Sequence, residues 1–251
     1  MISTLDFAAL VLAGIAAGLI GSAGGITSLI SFPALLAVGL PAHAANVANS
    51  VALVACLPGS ALASRPELRG RAPWLRRWTP VATLGGTAGA ALLLVTPASV
   101  FAQVVPFLVV AGSLALLFER RLGAWHRRRA GPNRLALPAG VLALSLYNGY
   151  FGAGAGVMTL TLVLVLVDRD LPTANALKNM LIGVGSVATA TILILFGPVD
   201  WSAAVPVALG MLAGSRAGPI VARRLPPDLL RGLIVVFGLL LAIDLWLHPS
   251  A

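Results

Sequence analysis

A chain of 251 residues with 59% apolar and only 10% charged residues is excluded as an ordinary soluble domain, in which about a quarter of residues carry charge. The formal net charge of +9 would suit a nucleic-acid partner, but its distribution does not. Fifteen of the seventeen Lys and Arg residues lie in clusters at 65–77, 120–134 and 216–231, the pattern of cytoplasmic loops against anionic lipid.

The apolar runs are 7–40, 44–63, 78–95, 100–118, 135–167, 173–196, 201–217 and 229–247. The residues before the first run carry Asp6 and no Lys or Arg, so it reads as a retained helix rather than a cleavable signal. Six runs have roughly the 20-residue length of one membrane span. The runs 7–40 and 135–167 are too long for one. A continuous helix of that length would reach about 50 Å, against a hydrocarbon core of about 30 Å. Each is interrupted by glycines, at Gly21-Ser22-Ala23-Gly24-Gly25 and at Gly152-Ala153-Gly154-Ala155-Gly156. Clustered glycine weakens a helix by about 1 kcal/mol per residue relative to alanine, so each run reads as two pieces joined at the break.

The breaks occupy matching places. Gly21 aligns with Gly152 and, without a gap, Leu40-Pro41 with Leu171-Pro172. An asparagine-bearing helix follows each Leu-Pro, then a Trp (Trp78, Trp201) that is expected to open the next helix. The chain therefore reads as a duplication: a first membrane repeat at 1–118, a basic cytoplasmic connector at 119–134 and a second repeat at 135–251. If each long run makes two passes, all three basic clusters share the cytoplasmic side, while Asp6, Asp200 and Asp244 face the other. The expected fold is an all-α integral membrane protein of two inverted repeats. Each has one Gly-broken long helix and three further spans, about 8–10 membrane segments in all.

Inverted repeats with broken helices are a transporter architecture in which substrate binds where the breaks meet. The half-helix after a glycine break presents backbone N–H groups and a partial positive charge, which suits an anion. Gly21, Ser22, Gly24 and Gly25 in the first break and Gly152, Gly154 and Gly156 in the second are thus candidate substrate ligands. The competing reading is close helix packing, the role expected of Gly14, Gly18, Gly85, Gly89, Gly210, Gly214 and Gly218. Lys178 lies inside an apolar run and shares a helical face with Asn175 and Asn179. A lysine there costs at least about 2.5–3.5 kcal/mol on insertion scales, so a cavity or a partner is expected; snorkelling to the interface is the alternative. Asn46, Asn49 and Ser50 form a similar face in the first repeat. Ser22, Thr27, Tyr147, Asn148 and Thr159 flank the breaks as weaker candidates, and Arg216 reads as a cytoplasmic anchor.

No catalytic constellation is present in the sequence. His43, His126 and His248 are scattered, no Walker loop occurs, and Glu67, Glu119, Asp168, Asp170 and Asp228 sit in or beside loops. No enzyme activity, metal or cofactor is expected. Cys56 is the sole cysteine, so no intrachain disulfide forms.

At these motifs the sequence resembles the sulfite exporter TauE/SafE family. The resemblance spans nearly the whole chain. It rests on the first break and the stretch 33–40, on 44–50 and Leu57-Pro58-Gly59-Ser60, and in the second half on 147–156, 174–179, 199–201 and 222–224. It implies a multi-pass permease of the bacterial plasma membrane, associated with export of sulfite or small organosulfonates, or uptake of related anions. The expectation is a secondary transporter, an exporter of such an anion by alternating access, with the lipid bilayer and the anion as partners and a homo-oligomer left open. A channel-like facilitator for another solute, or a membrane scaffold without cargo, stays open as an alternative. A scaffold has no need of Lys178 or of two matched breaks.

Overall fold

The computed structural model describes residues 3–110 and 135–222. These residues are helical, with no strand among them. Helix α1 (Thr4–Gly24) opens on a capping box, Ser3 accepting from the Asp6 amide while its own amide donates to the Asp6 carboxylate. It stops at Gly25, whose φ of 85° is left-handed and whose amide returns to the Gly21 carbonyl, a conformation that glycine alone adopts without strain. After that break comes the short α2 (Thr27–Ala37). Next is a 22-residue apolar element, Ala42–Ala63, made of α3 (Ala42–Ala52), one 3₁₀ turn (Leu53–Ala55) and α4 (Cys56–Ala63). The tightened turn has a cause in Pro58, which has no N–H to offer the carbonyl four residues back.

A single-turn α5 (Arg65–Leu68) precedes α6 (Ala72–Val95), and α7 (Ala98–Val110) follows. Trp78 does not open its helix as expected. Helix α6 begins at Ala72 with proline in its first turn, where the fixed φ of Pro73 is an advantage, and Arg76 and Arg77 are good helix formers that extend it. In the second half, α8 (Ala136–Tyr150) breaks at Phe151–Gly154 before α9 (Ala155–Leu166). Asp170 caps α10 (Leu171–Phe196), and α11 (Trp201–Ala222) does start at its Trp. The connector 119–134 and the run 229–247 lie outside the described residues, as do Glu119, His126, His248, Asp228 and Asp244.

Among the described residues, five elements have the length and composition to cross a membrane: Thr4–Gly24, Ala42–Ala63, Ala72–Val95, Leu171–Phe196 and Trp201–Val221. Their outward side chains are apolar. Leu12, Leu84, Phe107, Leu195, Phe196 and Leu209 are all exposed, which suits hydrocarbon, and backbone polar groups are satisfied inside each helix as a bilayer demands. Both long runs divide at their glycines, as expected.

Small residues decide which helices pair. An added Cβ at Gly210, Gly214 or Gly218 would fall on the carbonyl of Val11, Ile15 or Leu19 respectively. These contacts advance together along both helices, so α1 and α11 run parallel and backbone to backbone. Gly85 and Gly89 meet Leu142 and Leu146 of α8 in the same sense, making α6 and α8 a second parallel pair. The first helix of each half thus packs on the third long helix of the other, and the packing role expected of these glycines is what the structure shows. The loops at the start of α6 and before α10 are joined by an ion pair between Arg71 and Asp168.

Candidate functional site

The two breaks meet at the centre. Gly25 and Gly156, matched positions in the duplication, lie in direct backbone contact: a Cβ on either would overlap the other's main chain. The two breaks therefore touch through equivalent residues of the duplication. Phe151, in the second break, is held by edge-on contacts to Phe32 of α2 at 5.3 Å and to Phe101 of α7 at 6.0 Å. The break is therefore irregular but packed.

Beside this contact is a cavity of about 40 Å³ lined by both breaks, by α4 and by α10. At about 10–15 Å³ per water, it has room for roughly three water-sized groups. The first turns of α2 (Thr27, Ser28) and of α9 (Gly156) reach it, and neither helix has a side-chain N-cap. Each such end carries roughly half a positive charge. Lys178 adds a full one and, among the described lining residues, is the one with a charged side chain. It is 1% exposed, and its ammonium donates to the Gly21 carbonyl at 3.3 Å. Lys178 is therefore turned inward and does not snorkel. Asn175 and Asn179 both donate to the Ser22 carbonyl at 3.0 Å. Together the three α10 side chains bond the last carbonyls of α1, Gly21 and Ser22.

The structure divides the candidates. Gly21, Ser22, Gly25, Gly152, Gly156, Lys178 and Asn179 line the cavity; Gly24, Asn46, Asn49, Ser50, Gly154 and Asn175 do not. A Cβ at Gly24 meets open space. Gly154, with φ 74°, is the turn residue that starts α9. Asn49 donates to Ser28 and accepts from Ser31, pinning α3 to α2. Asn46 donates to the Tyr150 carbonyl at 2.8 Å, the end of α8, much as the α10 asparagines reach the end of α1. Of the weaker candidates, Thr27 and Asn148 do line the cavity. Tyr147 donates to the Ala153 carbonyl, Thr159 bonds back to Ala155, and Arg216 is exposed. Sequence reasoning missed Ser28, Cys56, Leu57 and Ser60. The i, i+4 spacing of Cys56 and Ser60 was the available signal for two of them.

A bundle of apolar helices with a lipid-facing exterior, broken twice around a small positive cavity, defines a multi-pass membrane protein of the transporter class. The chain belongs to the sulfite exporter TauE/SafE family, whose profile matches residues 7–245. It is 28% identical over 247 residues to a "Probable membrane transporter protein" of Haemophilus influenzae, covering 94% of each chain. It is 28% identical over 251 residues to "Probable membrane transporter protein YfcA" of Escherichia coli K12, covering 98% of this chain and 91% of the relative. A Sinorhizobium protein, "Probable membrane transporter protein ORF9", is 27% identical over 245 residues. No solved structure matches. The family and these relatives indicate a membrane transporter.

Proposed function

We propose that the chain is a secondary transporter that exports a small oxyanion across the bacterial plasma membrane by alternating access between two inverted repeats. The observation that carries this reading is the convergence of Lys178 and two uncapped half-helix N-termini on one buried cavity. Positive ends of broken helices directed at an anion near the midplane are the recurring solution for such substrates. The crosswise backbone contacts of α1 with α11 and of α8 with α6 tie each repeat to the other, so the bodies that rock would be these two mixed pairs. The cavity of about 40 Å³ has room for the charged head of a small oxyanion.

The test is flux of radiolabelled sulfite into proteoliposomes containing the purified protein, with taurine and chloride as competitors. Saturable flux that sulfite inhibits and chloride does not is the expected result. Flux no greater than in empty liposomes, across imposed pH and sodium gradients, would remove the transport reading in favour of a scaffold.

A further inference from the structure

The ends of the two broken helices are treated differently. At the C-terminal end of α1 the carbonyls of Gly21 and Ser22 meet Lys178, Asn175 and Asn179, so a cation is built into the chain there. At the matching end of α8, the helix that reaches in is α3, and the gap-free match of Lys178 is Val47. No side-chain cation comes from that position. What α3 supplies instead is Asn46, whose amide nitrogen donates to the Tyr150 carbonyl, and, one turn further on, Ser50.

Both residues are deeply buried, Asn46 at 0% and Ser50 at 1% exposed, yet Asn46 Oδ1 and Ser50 Oγ have no hydrogen-bond partner among the described residues. Two orphaned buried oxygens on one helical face need an explanation, since each costs about 1–3 kcal/mol if left unsatisfied. The Ser50 hydroxyl does not take the usual helical escape of bonding the carbonyl one turn back, as Ser31, Ser60 and Thr159 all do. The last turn of α8 adds to the imbalance. Both the Phe151 and the Gly152 amides go to the Tyr147 carbonyl, so Gly152 is not spent on Asn148. Two unpartnered oxygens thus stand on the helix whose Asn46 reaches the negative end of α8.

We propose that Asn46 Oδ1 and Ser50 Oγ supply two of the ligands of a binding site for a monovalent cation, sodium in particular, on the face of α3 whose Asn46 reaches the end of α8. The cation does for α8 what the Lys178 ammonium does for α1. Residues one turn apart have Cβ atoms about 5–6 Å apart, close enough for both oxygens to reach one ion at the roughly 2.4 Å usual for hard cations of this radius. The donors are neutral, and no group of three His, Cys, Asp or Glu able to hold a metal occurs among the described residues; this suits a singly charged ion and not a transition metal. Unwound carbonyls at half-helix C-terminal ends are a general solution for sodium in transporters. Because the ion would hold together the break that lines the anion cavity, its binding would raise anion affinity. That consequence rests on the transport reading above; the cation site itself does not.

The experiment is thermal unfolding of the purified full chain in detergent, titrated with NaCl against choline chloride at constant ionic strength, with KCl as a third arm. Saturable stabilisation by sodium, absent with choline and lost in both Ser50→Ala and Asn46→Ala, is expected. Sulfite affinity should be about fivefold or more higher in sodium than in choline, a coupling typical of linked sites. If Asn46→Ala does not fold, Ser50→Ala carries the comparison. Unfolding that does not distinguish sodium from choline overturns the site and assigns the orphaned oxygens to ordinary water. Sodium-independent sulfite binding combined with that result leaves the transport reading standing. Sodium stabilisation without any sulfite binding would do the reverse.

Discussion

Replacing Lys178 by Met separates the two tasks that its position allows, holding an anion and capping α1. The capping task is small. The Gly21 carbonyl that receives the ammonium at 3.3 Å also receives the Gly25 amide at 2.6 Å, so removing Lys178 orphans nothing at that oxygen. Met fills much of the same volume, and the variant is relieved of a charge that costs at least about 2.5–3.5 kcal/mol to place in a membrane. Thermal stability without ligand should therefore change less than sulfite affinity does. The anion task is large. A hydrogen bond to a charged group contributes about 1.5–3 kcal/mol net, which predicts a tenfold to hundredfold rise in the dissociation constant for sulfite. Lys178→Arg keeps the charge but brings a larger planar head to a cavity of about 40 Å³, so it should fall between wild type and Met. The assay is sulfite titration of purified variants at matched folded fraction, read by tryptophan fluorescence or calorimetry. An unchanged dissociation constant for Lys178→Met would refute the assignment and leave the residue as a cap.

Three further outcomes follow from the geometry. Gly25→Ala and Gly156→Ala should each abolish transport and lower the folded fraction, since a Cβ at either site overlaps the other break and Gly25 has φ 85°; Gly24→Ala, pointing into open space, should retain flux near wild type. In a Cys56→Ala background, cysteines at Arg69 and Arg169 should resist an impermeant thiol reagent on intact cells while those at Ser99 and Val199 react. The Arg71–Asp168 pair requires the first two to share a side, so opposite labelling of those two would break the topology. At the cap of α10, the Thr173 hydroxyl and amide, with a smaller attraction from Arg71, hold the Asp170 carboxyl below its ordinary range. A lowered folded-state value means stabilisation above the unfolded value of about 3.9, lost as pH falls through the folded one. Asp170→Asn, which keeps a capping side chain but not the charge, should be slightly less stable than wild type at pH 7 and lose less stability between pH 5 and pH 3. Asp170→Ala should cost about 1 kcal/mol at pH 7, all followed by thermal unfolding in detergent.

Much of this protein is determined by the sequence alone. Run lengths against bilayer thickness, the clustering of Arg between the apolar runs and the excess length of 7–40 and 135–167 are one-dimensional facts. The physical rules that read them are one-dimensional too: a helix rises a fixed distance per residue, and glycine breaks it. The all-helical class, the two broken runs and the packing glycines were legible for that reason. Local spacing also placed Lys178, Asn175 and Asn179 on one face. Their target could not be read, because Gly21 and Ser22 lie more than 150 residues away and a periodicity does not say what a face meets. The same limit separates Gly25, pressed against Gly156, from Gly24 beside it, which faces nothing. It also explains why Ser28, Cys56 and Ser60 line the cavity while Asn46, Asn49 and Ser50 do not. Pro58 and the 3₁₀ turn before it shift which residues of the Ala42–Ala63 element face inward, and only the packing of α3 and α4 against α2, α10 and α11 determines which they are.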